Sequence, residues 1–197
     1  MVRADVYRYY GASGAMKALR LFLLDRGFRP ILTLRLYHAL PQGVVRTLAY
    51  PFLWLAHRLF SQLAGVDLPM TTRIGPGLMI AHSWGIVLTE GARIGANVTL
   101  FHGVTIGRGD QIGPDGSRRT VYPVIEDQVW IGPHAVIVGG VTIGAGSRIM
   151  AGCVVTGDVP PRSMVAGNPG QIVRADCTPD VMNPYGPALI ARAQAAA

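Results

Sequence analysis

Aliphatic residues recur every six positions in the sequence from Asp67 onward, and this period constrains the fold more than any other feature. The longest run in one unbroken register is Ile125, Ile131, Ile137, Ile143, Ile149 and Val155. An α-helix repeats every 3.6 residues and an amphipathic strand every two, so neither explains a period of six. A period of six is typical of a β-helix built from hexapeptide repeats.

Each six-residue unit is expected to form one short strand and one corner, so that three units close one triangular coil. The aliphatic residue of each unit would point into the prism and stack on its counterpart in the next coil, at a sheet spacing of about 4.8 Å. Stacked coils bury a continuous core that a single coil could not bury. We therefore predict a mainly β fold with a parallel β-helix over residues 67–174.

Two insertions interrupt the period. Two extra residues separate Ile86 from Ile94, and 13 extra residues separate Ile106 from Ile125. The longer insertion predicts an extended loop over residues 108–123. Because long loops that interrupt a regular scaffold are usually functional, we expect this one to contact a substrate or a cofactor.

The two ends of the chain lack the period. Residues 1–66 are predicted to form a helical region, with segments near 14–25, 29–40 and 43–64 that are separated by glycine and proline. Residues 175–197 are predicted to form a C-terminal tail.

The charge balance narrows the possible partners. The chain has 18 basic and 11 acidic residues, a net charge of +7, but it lacks a basic run of the kind that binds nucleic acid. The N-terminus lacks the apolar core of a secretion signal, which predicts a cytoplasmic protein. The helical region alternates apolar segments with arginines, a pattern that suits helices packed on a core or helices lying on a membrane surface. Both interpretations stay open at this point.

Two histidines occupy equivalent positions in successive coils. His82 lies two residues after Ile80, and His102 lies two residues after Leu100, so both are expected at one corner of the prism, about 5 Å apart. Packing does not explain a stacked, outward-facing pair of this kind. Histidine has an ordinary pKa near 6.5 and suits the general base that transfer of an activated acyl group to a hydroxyl requires.

Several segments together resemble a known enzyme family. They are Asp67, the stretches IGPGLMIAHSWGIVL and LFHGVTIG, and the ending VPPRSMVAGNPGQIVR. Over a little more than half of the chain, the sequence resembles the serine O-acetyltransferases and the related capsule and exopolysaccharide O-acetyltransferases. The opening DVYRYYG and the arginine-rich helices are more similar to the polysaccharide branch. The resemblance implies a left-handed β-helix and acetyl-coenzyme A as the acetyl donor, with no metal.

The resemblance also implies roles for individual residues. His82 matches the catalytic base in the family motif Asp-His-Ala-Thr-Gly, and Asp67 matches the carboxylate that orients this base. An alternative is that Asp67 caps the end of the helical region. His102 is expected to bind or orient the acceptor.

The family binds the coenzyme A arm in a groove between the subunits of a homotrimer. The residues that match this region are Gly107, Arg108, Gly132 and Ala151. Three arginines either contact its phosphates or are simply solvated: Arg148, Arg162 and Arg174. Pro133 replaces a position that usually offers a backbone N–H, which would remove one contact.

Two positions depart from the serine enzymes. Ala81 replaces an aspartate that helps to hold the amino acid, and Tyr122 replaces the histidine of an Arg-His-Pro segment. Charged substrates bind poorly without charged partners, which disfavours serine as the acceptor. Trp84 would offer an aromatic face to a sugar ring, or would simply pack at the coil edge.

We therefore expect a homotrimeric acyltransferase that moves an acetyl group from acetyl-coenzyme A to a sugar hydroxyl in capsule or exopolysaccharide biosynthesis. Its helices would hold it at the inner face of the membrane. Serine O-acetyltransferase and an antibiotic-modifying acetyltransferase are the alternatives among enzymes. An alternative of another class is a non-catalytic β-helix, or a metal-binding one that uses His82, His102 and His134. His134 follows Ile131 by three residues, one position out of phase with the other two histidines.

Overall fold

A computed structural model describes residues 1–186, so the last part of the predicted tail, 187–197, lies outside the described residues. The helices are α1 (Val2–Tyr10), α2 (Ala15–Leu24), α3 (Phe28–Ala39) and α4 (Val44–Ala64). The last three coincide closely with the predicted segments, whereas α1 was not predicted as a separate helix. Gly11 and Gly65 end α1 and α4 in the left-handed conformation that glycine adopts without strain.

Short strands follow the helices. In chain order they are β1 (Val66–Asp67), β2 (Arg73–Ile74), β3 (Met79–Ile80), β4 (Ile86–Leu88), β5 (Arg93–Ile94), β6 (Thr99–Leu100), β7 (Thr105–Gly107), β8 (Gly109–Ile112), β9 (Arg118–Val121), β10 (Val124–Ile125), β11 (Trp130–Ile131), β12 (Val136–Val138), β13 (Thr142–Ile143), β14 (Arg148–Ile149), β15 (Val154–Val155), β16 (Met164–Ala166) and β17 (Gln171–Arg174).

These strands form the three faces of a prism. One face has the order β1-β4-β7-β12-β15, the second β2-β5-β10-β13 and the third β3-β6-β11-β14-β16, all with parallel pairing. The register pairs Ile80 with Leu100, Leu100 with Ile131 and Ile131 with Ile149, so the period of six becomes a column of buried side chains. The predicted left-handed β-helix with an N-terminal helical region is confirmed.

Both insertions have a clear structural role. The shorter one lengthens β4, where Ile86 and Leu88 both point inward and Val87 points outward. Leu88, rather than Ile86, pairs with Ile106, and the period of six resumes from Leu88 to Ile94. The longer insertion folds as the antiparallel hairpin β8–β9.

A buried ion pair fastens the helices to the first coil. Arg35 of α3 donates from Nε to Asp5 Oδ2 of α1 at 2.8 Å and from a second nitrogen to the Ile74 carbonyl. Asp5 Oδ1 also accepts hydrogen bonds from the backbone N–H groups of Gly77 and Leu78, each at 2.9 Å. The carboxylate and the guanidinium therefore neutralise each other's charge. They also form hydrogen bonds with backbone groups of the first coil, at the open end of the prism.

The described part of the predicted tail packs back onto the molecule. Arg8 donates to the Met182 carbonyl at 2.8 Å, and the Tyr185 N–H donates to Asn97 Oδ1 at 2.8 Å. Residues 175–186 thus contact both α1 and the coils. Within residues 1–186, no helix combines the length and the apolar character needed to cross a bilayer.

Candidate active site

One exposed corner of the prism carries the two predicted histidines. Parallel pairing of β3 with β6 aligns Ile80 with Leu100, which brings His82 and His102 to the same corner. Their ring centroids lie 6.2 Å apart with an interplanar angle of 64°. His82 is exposed and His102 is half-buried, so the candidate base is open to an incoming hydroxyl.

A third histidine extends this column. The His134 ring lies 4.9 Å from the His102 ring, and the backbone N–H of His134 donates to the backbone carbonyl of His102 at 2.9 Å. The sequence period places His134 out of phase, but its left-handed backbone, with φ of 58°, turns the ring toward His102. A side chain at Gly103 would overlap His134 Nδ1, so this contact requires glycine there. No group of three or more metal-ligating side chains suited to hold an ion occurs within residues 1–186.

Aromatic side chains line the same corner. The Phe101 ring lies 5.9 Å from His82 and 4.9 Å from Trp130. The Arg148 guanidinium lies over Trp130 at 5.3 Å and forms an ion pair with Asp180 at 2.8 Å. Neither Phe101 nor Trp130 was predicted from the sequence to belong to the site. The sequence could have indicated both residues, because each lies next to an inward-pointing residue of the face that carries the histidines.

Trp84 packs against the helical region. A Cβ at Gly65 would lie 2.6 Å from the Trp84 ring, and the Arg26 guanidinium lies over this ring at 4.8 Å. Arg26 also donates a hydrogen bond to Ser83 Oγ at 3.0 Å. Because Ser83 directly follows His82, this bond holds a cation at the residue next to the candidate base in the chain. Trp84 has a φ of 123°, an unusual value for a residue with a side chain. A strained residue beside a candidate base is a common feature of functional sites.

Asp67 lies in β1 beside Val87 of β4. It lines a cleft between α4 and the first coil, together with Trp54 and Arg58. No hydrogen bond joins Asp67 to His82 in the described part of the chain, so its orienting role is a proposal.

His57 closes the inner wall of this cleft. Its Nε2 lies 2.6 Å from the Leu68 carbonyl and its Nδ1 lies 2.7 Å from Thr33 Oγ1. A carbonyl only accepts hydrogen bonds, so Nε2 carries the proton of the neutral ring. Burial lowers the pKa of His57, although the bond to Leu68 opposes this shift.

Two of the residues predicted to bind the cofactor lie at the same corner of the prism as His82 and His102, in later coils. Gly132 follows β11, and a Cβ on it would lie 2.9 Å from the Ala151 backbone nitrogen and 2.7 Å from Trp130. Ala151 follows β14 and is exposed. The third coil therefore carries Gly132 together with His134, and the fourth coil carries the small Ala151.

The remaining predicted residues lie around the hairpin and at the last strand. Gly107 ends β7, and the exposed Arg108 connects it to the hairpin. Tyr122 lies at the other end of the hairpin, where its ring covers Gly91. Arg174 is exposed at the end of β17.

Of the other two candidate phosphate ligands, Arg148 is paired with Asp180, as described above. Arg162 donates to the carbonyls of Cys177 and Asp176, at 3.3 Å and 3.5 Å. Both arginines thus hold the C-terminal segment, and the exposed Arg174 is the third candidate.

Comparison with known proteins identifies the relatives of this chain. The family model "Bacterial transferase hexapeptide (six repeats)" matches residues 122–157. The chain is 34% identical over 178 residues to a serine acetyltransferase of Bacillus subtilis, covering 88% of this chain and 76% of the relative. It is 37% identical over 159 residues to a serine acetyltransferase of Mycobacterium tuberculosis, covering 81% of this chain and 66% of the relative. A crystal structure of serine acetyltransferase from Brucella abortus in complex with coenzyme A has a TM-score of 0.71 and 32% identity, covering 90% of this chain and 68% of that one.

These relatives overturn one expectation. The predicted sugar acceptor and polysaccharide pathway are contradicted, since the relatives named above are serine acetyltransferases. The error has a physical origin: missing charges at Ala81 and Tyr122 do not exclude charged groups that other parts of the chain supply. Arg26, which donates a hydrogen bond to Ser83 Oγ, is one such group.

Proposed function

This chain belongs to the serine acetyltransferase family of hexapeptide-repeat transferases, and we propose that it transfers an acetyl group from acetyl-coenzyme A to the hydroxyl of serine. The chain spans 66% of the length of the M. tuberculosis relative and 46% of a serine acetyltransferase of Arabidopsis thaliana. The observation that carries the proposal is the exposed His82, which lies edge-to-face with His102 at the position that matches the family's base. The coenzyme A complex of the B. abortus relative supports the donor.

His82 acts as the general base in this proposal. Its neutral imidazole takes the proton from the serine hydroxyl while the oxygen attacks the thioester carbonyl. The tetrahedral intermediate collapses, the C–S bond breaks, and the coenzyme A thiolate receives the proton from the imidazolium. Asp67 orients the imidazole, and His102 holds the acceptor beside it.

Recognition of serine needs a partner for its carboxylate. We assign this role to Arg26, because its guanidinium contacts Ser83 and Trp84, the two residues that directly follow the base in the chain. Arg26→Gln is expected to raise KM for serine by about tenfold, with a smaller effect on kcat. An unchanged KM for serine would contradict the assignment.

Coenzyme A is proposed to lie along the corner of the prism that carries the histidines, in the coils that follow His102 and in a groove between the subunits of a homotrimer. The residues proposed to line it are Gly107, Arg108, Gly132, Ala151 and Arg174. The small residues leave room for the pantetheine arm, and the two exposed arginines offer charge to the phosphates. Pro133 offers no backbone N–H to the arm.

Release of coenzyme A by the purified chain, measured with and without serine, tests the proposal. We expect release to depend on serine and to fall by about 10²–10⁴-fold in His82→Ala. His38→Ala is the matched control, since His38 is an exposed histidine of α3, outside the corner, and should keep the wild-type rate. Release that ignores serine would contradict the acceptor, and full activity of His82→Ala would contradict the base.

A further inference from the structure

Helix α4 exposes its apolar side to solvent and turns polar and small residues toward the protein. The residues that it turns toward the protein include His57, Ser61 and Ala64. Large apolar side chains instead form its outer face, each between 51% and 77% exposed: Val44, Leu48, Phe52, Leu55, Leu59 and Leu63. Their spacing of three or four residues places them on one stripe, about 30 Å long for a helix of this length. We name this stripe, together with the exposed part of α2 described next, the apolar face.

Helix α2 adds to the apolar face. Its exposed side chains are Met16, Leu19, Leu23 and Leu24. The Phe22 ring of α2 lies 5.5 Å from the Phe60 ring of α4, so the two helices are neighbours. Large exposed apolar side chains on two neighbouring helices usually mark an interaction site.

The helices that carry the apolar face, and the segments between them, are strongly basic. Residues 11–66 contain seven basic side chains and one acidic side chain, Asp25. Asp25 accepts a hydrogen bond from the Phe28 N–H at 3.0 Å and so is engaged at the start of α3. Arg20 and Arg58 are exposed, and none of the ion pairs within residues 1–186 involves them.

We propose that the apolar face docks on the surface of an anionic phospholipid bilayer, with α2 and α4 lying in the interface. Apolar side chains would enter the acyl boundary, while the long arginine side chains reach back to the headgroup phosphates. A second copy of the chain fits less well, because two such faces would bring arginines together without acidic partners.

Flotation of the full chain with lipid vesicles tests this inference. We expect the protein to float with vesicles of equal parts phosphatidylcholine and phosphatidylglycerol, and to remain unbound with phosphatidylcholine alone. Leu55→Glu/Leu59→Glu should lower binding by more than about tenfold, because two leucines no longer enter the lipid. Arg20→Gln/Arg58→Gln should lower it about fivefold per charge removed.

Ile172→Glu/Val173→Glu is the matched control. These side chains are exposed to a similar degree, 52% and 59%, but lie on β17 of the prism. The control should bind vesicles as the wild type does, and the circular dichroism of all variants should match the wild type. The inference fails if the wild type binds neither vesicle, or if the β17 variant loses as much binding as the α4 variant. It also fails if the protein does not bind anionic vesicles and analytical ultracentrifugation shows that Leu55→Glu/Leu59→Glu dissociates an oligomer. The apolar face would then be an interface between copies of the chain.

Discussion

The buried ion pair between Asp5 and Arg35 makes a quantitative prediction about how the helices are held on the prism. Both side chains are almost fully buried, at 0% and 2% exposed. Asp5→Ala would leave the Arg35 charge without its counterion and the N–H groups of Gly77 and Leu78 without an acceptor. Removal of one partner from a buried ion pair costs about 3–5 kcal/mol, so we expect Asp5→Ala to lower the free energy of unfolding by that amount.

A double-mutant cycle separates the pair from its surroundings. Arg35→Met alone leaves a buried carboxylate, whereas Asp5→Ala/Arg35→Met removes both charges together. The double variant should therefore be more stable than the sum of the two single effects predicts, with a coupling energy of about 1–3 kcal/mol. Urea unfolding followed by circular dichroism measures each free energy, and the slope with urea should be the same for all variants.

The surface pair between Asp110 and Arg118 is the control for this experiment. Its charged atoms are only 2.6 Å apart, but the Arg118 side chain is 61% exposed. Water screens such a pair, so Asp110→Ala should shift the urea midpoint far less than Asp5→Ala does. Additive effects in the buried cycle, or equal shifts for the buried and the surface variant, would refute the reasoning.

Three further predictions follow from the packing of the prism and its helices. Ile137 is fully buried, so Ile137→Ala should cost about 2–5 kcal/mol in thermal unfolding, and a loss below about 1 kcal/mol would contradict a close-packed core. Gly103 and Gly152 share a left-handed φ, near 70°, but only at Gly103 would a methyl group overlap His134. Gly103→Ala should therefore lose more stability and activity than Gly152→Ala, and equal losses would show that the His134 contact is unimportant. Burial lowers the pKa of His57, so the unfolded chain takes up a proton there at a higher pH than the folded chain does. Stability should then fall as the pH decreases through about 6.5, and this fall should be smaller in His57→Gln; an unchanged pH profile would exclude His57 as a source.

The sequence period was sufficient to predict the prism and the juxtaposition of its first two histidines. Each aliphatic residue at a spacing of six has only one place in a triangular coil, so register follows from the pattern. His82 and His102 then share a corner because each lies two residues after an inward residue. The contact with His134 could not be predicted in this way, because it depends on a left-handed backbone conformation that the period does not encode.

Contacts between distant segments could not be predicted from the sequence either. The pairing of Asp5 with Arg35 joins two helices, and Arg26 reaches Ser83 from a turn that precedes the prism. No periodic pattern relates these positions. The prediction of a sugar acceptor was wrong for the same reason, because it considered only the charged residues of the β-helix and not those of the helical region.

Identification of the acetylated product tests the central claim most directly. The purified chain is mixed with serine and with acetyl-coenzyme A that carries an isotope label in its acetyl group, and the products are analysed by mass spectrometry. The account predicts labelled O-acetylserine from the wild type and from His38→Ala, and none above background from His82→Ala. Absence of labelled O-acetylserine from a folded wild-type protein that binds coenzyme A would contradict serine as the acceptor.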